Sequence, residues 1–325
     1  MNEEAISYIM QKMSNCLDNS QMIRLEKTLE EALRGEDKVS LKPSEELLEE
    51  FLSVKRLEGR SEKTLFLYKF NIGKILEKSD KNVCVMNTDD IRKYLSEYQL
   101  SGVSKATVDN VRRNLSSFFK WLEDESYIYK SPLRRIHKIK TTSVVRETYA
   151  DEDLEKLRDD CREIRNLAII DLLNSTGMRV GELVNLDIAD MDFEERECVV
   201  LGKGDKERIV YFDAKTKLHL EKYLLSRNDE NPALFVTIRN PHRRLKAGGV
   251  EIMLRKMGEQ CEVKHVHPHK FRRTMATTAI DRGMPIEQVQ KLLGHEKIDT
   301  TLHYAMVKQS NVKLAHKKYM GQEYL

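Results

Sequence analysis

Apolar residues recur along most of the chain at spacings of three and four, the repeat that lines one face of an α-helix. Ile6, Ile9, Met13 and Leu17 follow it, and Met22, Leu25, Leu29 and Leu33 take it up again after the polar break Asp18-Asn19-Ser20. The pair predicts a helical hairpin. Ser44 opens a further helix through Leu47, Leu48, Phe51 and Leu52, and Ser61 opens one through Leu65, Tyr68, Ile72 and Ile75. Two more are predicted, from Thr88 to Tyr98 and from Ser104 through Val108, Val111, Leu115, Phe118 and Leu122. Residues 44–130 therefore read as a four-helix unit. From Ser131 to Arg146 the repeat fails and Pro132 stands among Arg134, Arg135, Lys138 and Lys140, so 131–146 is predicted to be a basic interdomain linker.

Beyond it the pattern mixes periods. Helices are predicted over 151–161, 165–174 and 179–186, then strands near 188–193, 197–201 and 208–212, the last two joined by the turn-rich Gly202-Lys203-Gly204-Asp205. Helices resume over 217–226, 250–260, 269–282 and 285–293, and a final one over 309–319. The expected fold is mainly α with a small β-sheet, an α+β arrangement. Residues 1–43 are an N-terminal helical extension, 44–130 a helical domain, 131–146 the linker and 147–325 a second domain.

The length of 325 residues suits two domains, each able to bury a core. A 40% hydrophobic and 34% charged composition with 14 Gly and 6 Pro excludes a disordered or collagen-like chain. No apolar run is long enough to cross a membrane, and Glu3 and Glu4 do not fit the basic start of a signal peptide. Cys16, Cys84, Cys161, Cys198 and Cys261 are scattered without a C-x-x-C pair, which points away from disulfides and towards a reducing, cytoplasmic setting. The net charge of +3 hides a segregation: −2 over residues 1–43, +5 over 44–146, −10 over 147–200 and +10 over 201–325. Two separate basic stretches suit a polyanion, although solvated helix faces would look the same.

Three clusters carry residue types suited to a phosphodiester. In Thr176-Gly177-Met178-Arg179-Val180-Gly181-Glu182-Leu183, Gly177 ends one helix and Glu182 stands where it can orient Arg179. The hairpin Gly202-Lys203-Gly204-Asp205-Lys206-Glu207-Arg208 is the second, and the third runs from His269-Lys270-Phe271-Arg272-Arg273 through Leu293-Gly294-His295 to Tyr304. Singly, an Arg-x-x-Glu pair is ordinarily a surface ion pair and a basic hairpin tip ordinarily only solvated. The alternation His265, His267, His269 lacks supporting carboxylates and is broken by Pro268, so no zinc site is indicated.

Taken together and in this order, the clusters resemble the tyrosine recombinases, or phage-integrase family, and most of all its Xer-type and integrase-like bacterial members. The likeness covers about residues 44–320: a T-G-x-R-x-x-E-L box at Thr176–Leu183, a G-K-G-x-K-x-R hairpin at Gly202–Arg208, an H-x-[LF]-R box at His269–Arg272, and L-L-G-H followed by Tyr304. Arg273 stands where the family often has His, and Phe271 where Leu is commoner. The resemblance implies a core-binding domain and a catalytic domain closing as a clamp on double-stranded DNA. In it Tyr304 attacks the phosphate to form a 3′-phosphotyrosyl link, Arg179 and Arg272 clamp the non-bridging oxygens, and Lys203 protonates the leaving 5′-oxygen. His269 takes the tyrosine proton, His295 donates to the phosphoryl group, and Glu182 holds Arg179. Neither ATP nor a metal is implied. The implied assembly is a homotetramer on DNA, with the helix over 309–319 docking on a neighbouring protomer. Arg134, Arg135, Lys138, Lys140, Lys206, Arg208, Arg243, Arg244, Lys270 and Arg273 are the cations expected to meet DNA. A type IB topoisomerase-like relaxing enzyme and a non-catalytic accessory DNA-binding protein are the alternatives to a recombinase acting in integration, excision, inversion or resolution. The filled set of reactive positions argues against the second.

Overall fold

A computed structural model describes residues 2–34, 41–140, 147–202, 206–296 and 298–302. The chain divides into two units, residues 1–144 and 145–325, each with its own core. The first unit opens with α1 (Asn2–Met13) and α2 (Asn19–Arg34). They form the hairpin expected, with one rotation of the face: Met10, not Ile9, joins Ile6 in burial against Met22. Asn19 fastens this hairpin to the rest of the unit, donating to the Lys130 carbonyl at 2.7 Å and accepting from the Lys130 amide at 2.9 Å.

Four helices follow, α3 (Ser44–Leu57), α4 (Glu62–Lys78), α5 (Thr88–Leu100) and α6 (Lys105–Asp124). Their starts are set by short polar side chains that satisfy first-turn amides. Ser61 accepts from the Thr64 amide at 3.3 Å, Ser104 from the Thr107 amide at 3.2 Å, and Asn87 forms a reciprocal capping box with Asp90. Ser44 differs. It is already inside α3, and its buried hydroxyl accepts from the Val83 amide at 3.0 Å, which pins the start of α3 to a tight turn at Val83–Val85. The faces so aligned meet around Phe51, whose ring lies 5.2 Å from both Tyr68 and Phe118 and 5.6 Å from Trp121. The stretch expected as a linker is docked for more than half its length: Leu133 is buried in this core, Ile136 and Ile139 pack on it, and the Ile139 amide donates to the buried Asp109 carboxylate at 3.1 Å. Arg135, Lys138 and Lys140 are left exposed, while Arg134 pairs with Glu123.

The second unit is built around α8 (Ile164–Thr176), in which Ala168, Ile169, Ile170, Leu172 and Leu173 are all buried. A helix whose apolar residues spread well beyond one stripe belongs inside a protein, and the one buried carboxylate of α8, Asp171, is met by Arg158 and His219. Ahead of it lies α7 (Asp151–Asp159) and after it α9 (Val180–Asn185). The strand predicted over 188–193 is mostly a tight turn, because the Asp187 amide donates to the Asp190 carboxylate at 2.8 Å; only Met191–Asp192 pair, as β1. With β2 (Glu197–Leu201) and β3 (Glu207–Tyr211) they form an antiparallel sheet in the order β1-β2-β3, with Val200 opposite Arg208. Cys198, Val200 and Val210 face the core. The remaining helices are α10 (Ala214–Leu225), α11 (Ala247–Gln260), α12 (Pro268–Asp281), α13 (Ile286–Leu293) and the short α14 (Ile298–Leu302). Of these, α10 and α12 pack on α8. The helix predicted over 309–319 lies outside the described residues. Among the described residues no helix is long and apolar enough to cross a membrane.

Phe51→Ala removes the ring on which three aromatics converge, and is expected to cost about 3–5 kcal/mol. Trp121, the one tryptophan in the chain, sits in this cluster and reports it. Urea unfolding followed by tryptophan fluorescence should shift accordingly; a shift of less than about 1 kcal/mol would show that the cluster is not the keystone of the first unit.

Candidate active site

The Thr-Gly-Met-Arg turn is shaped by its first two residues. The Thr176 hydroxyl donates to the Leu172 carbonyl at 2.6 Å and accepts from the Met178 amide at 3.2 Å. Gly177, at φ +63°, ends α8 in the left-handed region, and a Cβ there would lie 2.2 Å from the Met275 Cε of α12. Glycine takes this backbone conformation without strain, and any side chain here would displace the end of Met275. The chain then turns so that Arg179 precedes α9 and Glu182, in its first turn, folds back. Glu182 accepts from the Arg179 amide and from Arg179 Nη1, both at 2.7 Å, and from Arg208 Nη1 and Nη2 of β3 at 2.7 and 2.6 Å. Burial would push this carboxyl up, but the Arg208 fork, the Arg179 amide and the Arg179 guanidinium hold it below its ordinary value.

The second anchor is the end of α13, where Gly294 at φ +63° closes the helix. Arg272, 3% exposed, donates through Nη1 to the Gly177 carbonyl at 2.8 Å and through Nη2 to the Leu293 carbonyl at 2.5 Å and to His295 Nε2 at 3.0 Å. A guanidinium only donates, so Nε2 accepts and the imidazole proton sits on Nδ1, 2.9 Å from the Thr301 hydroxyl of α14. Burial, then Arg272, Arg179 and Arg208, push His295 down to about 4. It is a neutral imidazole at physiological pH. His269 stands one turn before Arg272 on α12, exposed, and is also lowered, by burial first and then by Arg272, Arg273 and Arg179. Arg179, its side chain 35% exposed, is the more accessible of the two arginines.

Of the residues singled out in the sequence, Arg179, Glu182, Arg272 and His295 are brought together directly, with His269 beside them. Lys203 and Tyr304 lie outside the described residues. His295 meets Arg272 through Nε2. Three of the cations expected to meet DNA are engaged inside the unit instead. Arg208 holds Glu182; Lys270, 5% exposed, donates to the Lys264 carbonyl at 3.1 Å and lies 4.4 Å from the centre of the Tyr149 ring; Arg244 donates to the Val184 and Leu186 carbonyls and pairs with Asp187. Burial lowers Lys270 as well. Lys206 and Glu296 form an exposed pair at 3.0 Å, Arg273 donates to the Glu147 carbonyl, and Arg243 is exposed. His265, at φ +56°, and His269, on α12, do not continue a strand with His267. The inward turn of Arg208 was legible, since it shares strand parity with the buried Val210. Nothing in the sequence marks Thr301.

Because His295 is held neutral in the fold and titrates near 6.5 when unfolded, the unfolded chain takes up the proton first as pH falls. Its stabilising contribution is complete above about pH 6.5 and is lost towards about pH 4, by on the order of 1 kcal/mol after solvent screening. His295→Gln is expected to flatten this part of the profile. Urea unfolding by circular dichroism at about pH 7.5 and about pH 5 measures it; equal pH sensitivity of the two proteins would assign the loss elsewhere.

Residues 146–311 match the phage integrase family and residues 47–128 match the phage integrase N-terminal SAM-like domain. Tyrosine recombinase XerA of Pyrococcus horikoshii is 31% identical over 277 residues, covering 84% of this chain and 93% of its own. Tyrosine recombinase XerC of Oceanobacillus iheyensis is 33% identical over 243 residues, 70% of this chain and 79% of its own. The fold is that of the XerH site-specific recombinase bound to a palindromic difH substrate in a post-cleavage complex, with TM-score 0.67, 21% identity, and 97% and 95% of the two chains covered. With sequence shared at this level along most of its length, the chain belongs to the phage integrase family, the tyrosine recombinases, which are DNA strand-transferring enzymes.

Proposed function

We propose that the protein is a site-specific recombinase that cleaves and rejoins double-stranded DNA through Tyr304. The observation that carries this is the anchoring of two guanidiniums, Arg179 and Arg272, on one helix end, next to two histidines held neutral. A phosphodiester undergoing attack gathers negative charge on its non-bridging oxygens, and fixed cations in a partly buried site are what lower that barrier. Arg179, the more exposed, meets the phosphate first, and Arg272 adds its charge from behind. His269, neutral and at the rim, takes the Tyr304 proton. The Tyr304 oxygen bonds to phosphorus as the bond to the 5′-oxygen breaks, and Lys203 supplies the proton to that oxygen. The phosphotyrosyl ester retains the energy of the broken bond, so a 5′-hydroxyl from a second duplex reverses the step.

His295 serves here by orienting Arg272, rather than by touching the phosphoryl group. Arg135, Lys138 and Lys140, exposed at the end of the first unit, supply phosphate contacts that add affinity without sequence choice. The assembly we propose is a homotetramer on two duplexes in the cytoplasm, serving a mobile element or the resolution of joined DNA. In it the segment after Tyr304, where Val312, Leu314, Ala315 and Tyr319 alternate with lysines, docks on a neighbouring protomer.

A nicked suicide duplex tests the chemistry. Tyr304→Phe is expected to bind it as the wild type does and to form no covalent adduct; a normal adduct yield would move the nucleophile to Tyr211 or Tyr319. Wild-type protein should also join strands from two duplexes, whereas relaxation without joining would assign a topoisomerase-like activity. Ending the chain at Gln309 should leave binding by single protomers intact and abolish strand exchange, and full-rate exchange by the shortened chain would remove docking between protomers.

A further inference from the structure

Arg208 lies on β3 and looks by sequence like one more basic residue of a DNA-facing hairpin, yet its side chain is 11% exposed. All three of its nitrogens have partners within the protein. Nη1 and Nη2 grip the two Glu182 oxygens, and Nε donates to the Leu292 carbonyl at 2.9 Å. The fit is close: a Cβ on Gly294 would lie 2.9 Å from Arg208 Cδ and 3.2 Å from Nε. Three consecutive carbonyls at the end of α13 thus accept from three different arginines, Leu292 from Arg208, Leu293 from Arg272 and Gly294 from Arg179, the last at 3.4 Å. The last turn of a helix leaves such carbonyls without partners in the helix and carries a partial negative charge, so it holds cations well.

We infer that Arg208 is a positioning residue for strand cleavage: it locks the Glu182 carboxylate to the α13 turn, and so sets the spacing between the Arg179 and Arg272 guanidiniums without itself touching DNA. The inference rests on the proposal that those two arginines hold the scissile phosphate. Among the described residues Glu182 has no other fork to fill its second side, and without Arg208 it keeps the two bonds from Arg179. A buried carboxylate short of donors draws the remaining cation towards itself. Arg179 would then be pulled away from the phosphate, while the Leu292 carbonyl, released, would loosen the turn that places His295. Because Arg208 follows Lys206 by two residues, the same grip fastens the base of the hairpin, where the Gly202 amide donates to the Lys206 carbonyl at 2.8 Å.

Binding and cleavage are measured separately, as the affinity for a nicked suicide duplex over a salt series and as the single-turnover rate of adduct formation by bound protein. Adduct formation by the wild type, and its absence in Tyr304→Phe, tests the proposed function and is independent of Arg208. Arg208→Lys keeps the charge and loses the fork. It is expected to bind within about twofold of wild type with an unchanged salt slope, and to form the adduct roughly tenfold or more slowly. A substrate with sulfur at the 5′-bridging position should not restore it, in contrast to Lys203→Ala, because leaving-group protonation is not the step impaired. In a Glu182→Gln background the same change should lower the rate by less than about twofold further, the carboxylate through which it acts being gone. Should Arg208→Lys not fold, Arg208→Gln, which keeps part of the stem and a single amide donor in place of the fork, is expected to separate rate from binding in the same way. Weaker binding with a salt slope reduced by about one phosphate would make Arg208 a DNA contact. An unchanged adduct rate accompanied only by lower thermal stability would make it a structural residue. Rescue by the bridging sulfur, or fully additive rate losses, would equally overturn the inference.

Discussion

A carboxylate almost wholly removed from water must be surrounded by donors, and around Glu182 that requirement organises the second unit. Its two oxygens accept from the Arg179 amide, the Arg179 guanidinium and both outer nitrogens of Arg208. The helix α9, the strand β3 and, through Arg208, the end of α13 are all tied to this one group. Losing any partner would leave buried charge uncompensated, which is far more costly than losing a surface ion pair. The arrangement therefore tolerates little variation in where Arg179 can stand.

Charge of the opposite sign collects at the end of α13. Arg179, Arg208 and Arg272 all reach carbonyls there, and their mutual repulsion is moderated by Glu182 and by the helix end. The histidines respond by staying neutral: His269 and His295 are both lowered, by burial first and then by Arg272 and Arg179, with Arg273 adding to the effect on His269 and Arg208 to that on His295. An excess of fixed positive charge beside neutral imidazoles is adapted to a ligand that brings its own negative charge, and the transition state of phosphoryl transfer brings more of it than the ground state.

The first unit obeys different physics. Its order comes from apolar faces aligned by side-chain caps, converging on Phe51, Phe118 and Trp121, with the buried Asp109 carboxylate met by Arg112 and the Ile139 amide. Ser44 and Asn19 are exceptions with a purpose, each using a polar side chain to secure backbone from a distant part of the unit. The stretch from Ser131 to Ile139 belongs to this core, so its cations are displayed from a fixed base.

The amino-acid sequence by itself determined the helices of the first unit, because spacings of three and four carry helix and burial together and because Ser61, Asn87 and Ser104 declare the starts. It also marked the turn from Thr176 to Glu182, since Thr176, Arg179 and Glu182 bond to backbone or to one another within a few residues and leave a local signature. Where contacts are long-range it determined less. The helix α8 was legible but not its burial, which extends even to Asp171, and the strand expected over 188–193 shrank to β1 because Asp190 closes a turn on the Asp187 amide. Only the tertiary structure decided that Arg208 meets Glu182, that Lys270 faces inward, that Arg244 is tied to the Val184 and Leu186 carbonyls, that His295 presents an acceptor to Arg272, and that Thr301 holds its other nitrogen. The physical reason is the same in each case. A side chain's partner is selected by which polar atoms folding brings within 3 Å or so of it, and pairs such as Arg208 and Glu182, 26 positions apart, or Arg272 and Gly177, 95 apart, carry no mark of that meeting in the chain itself.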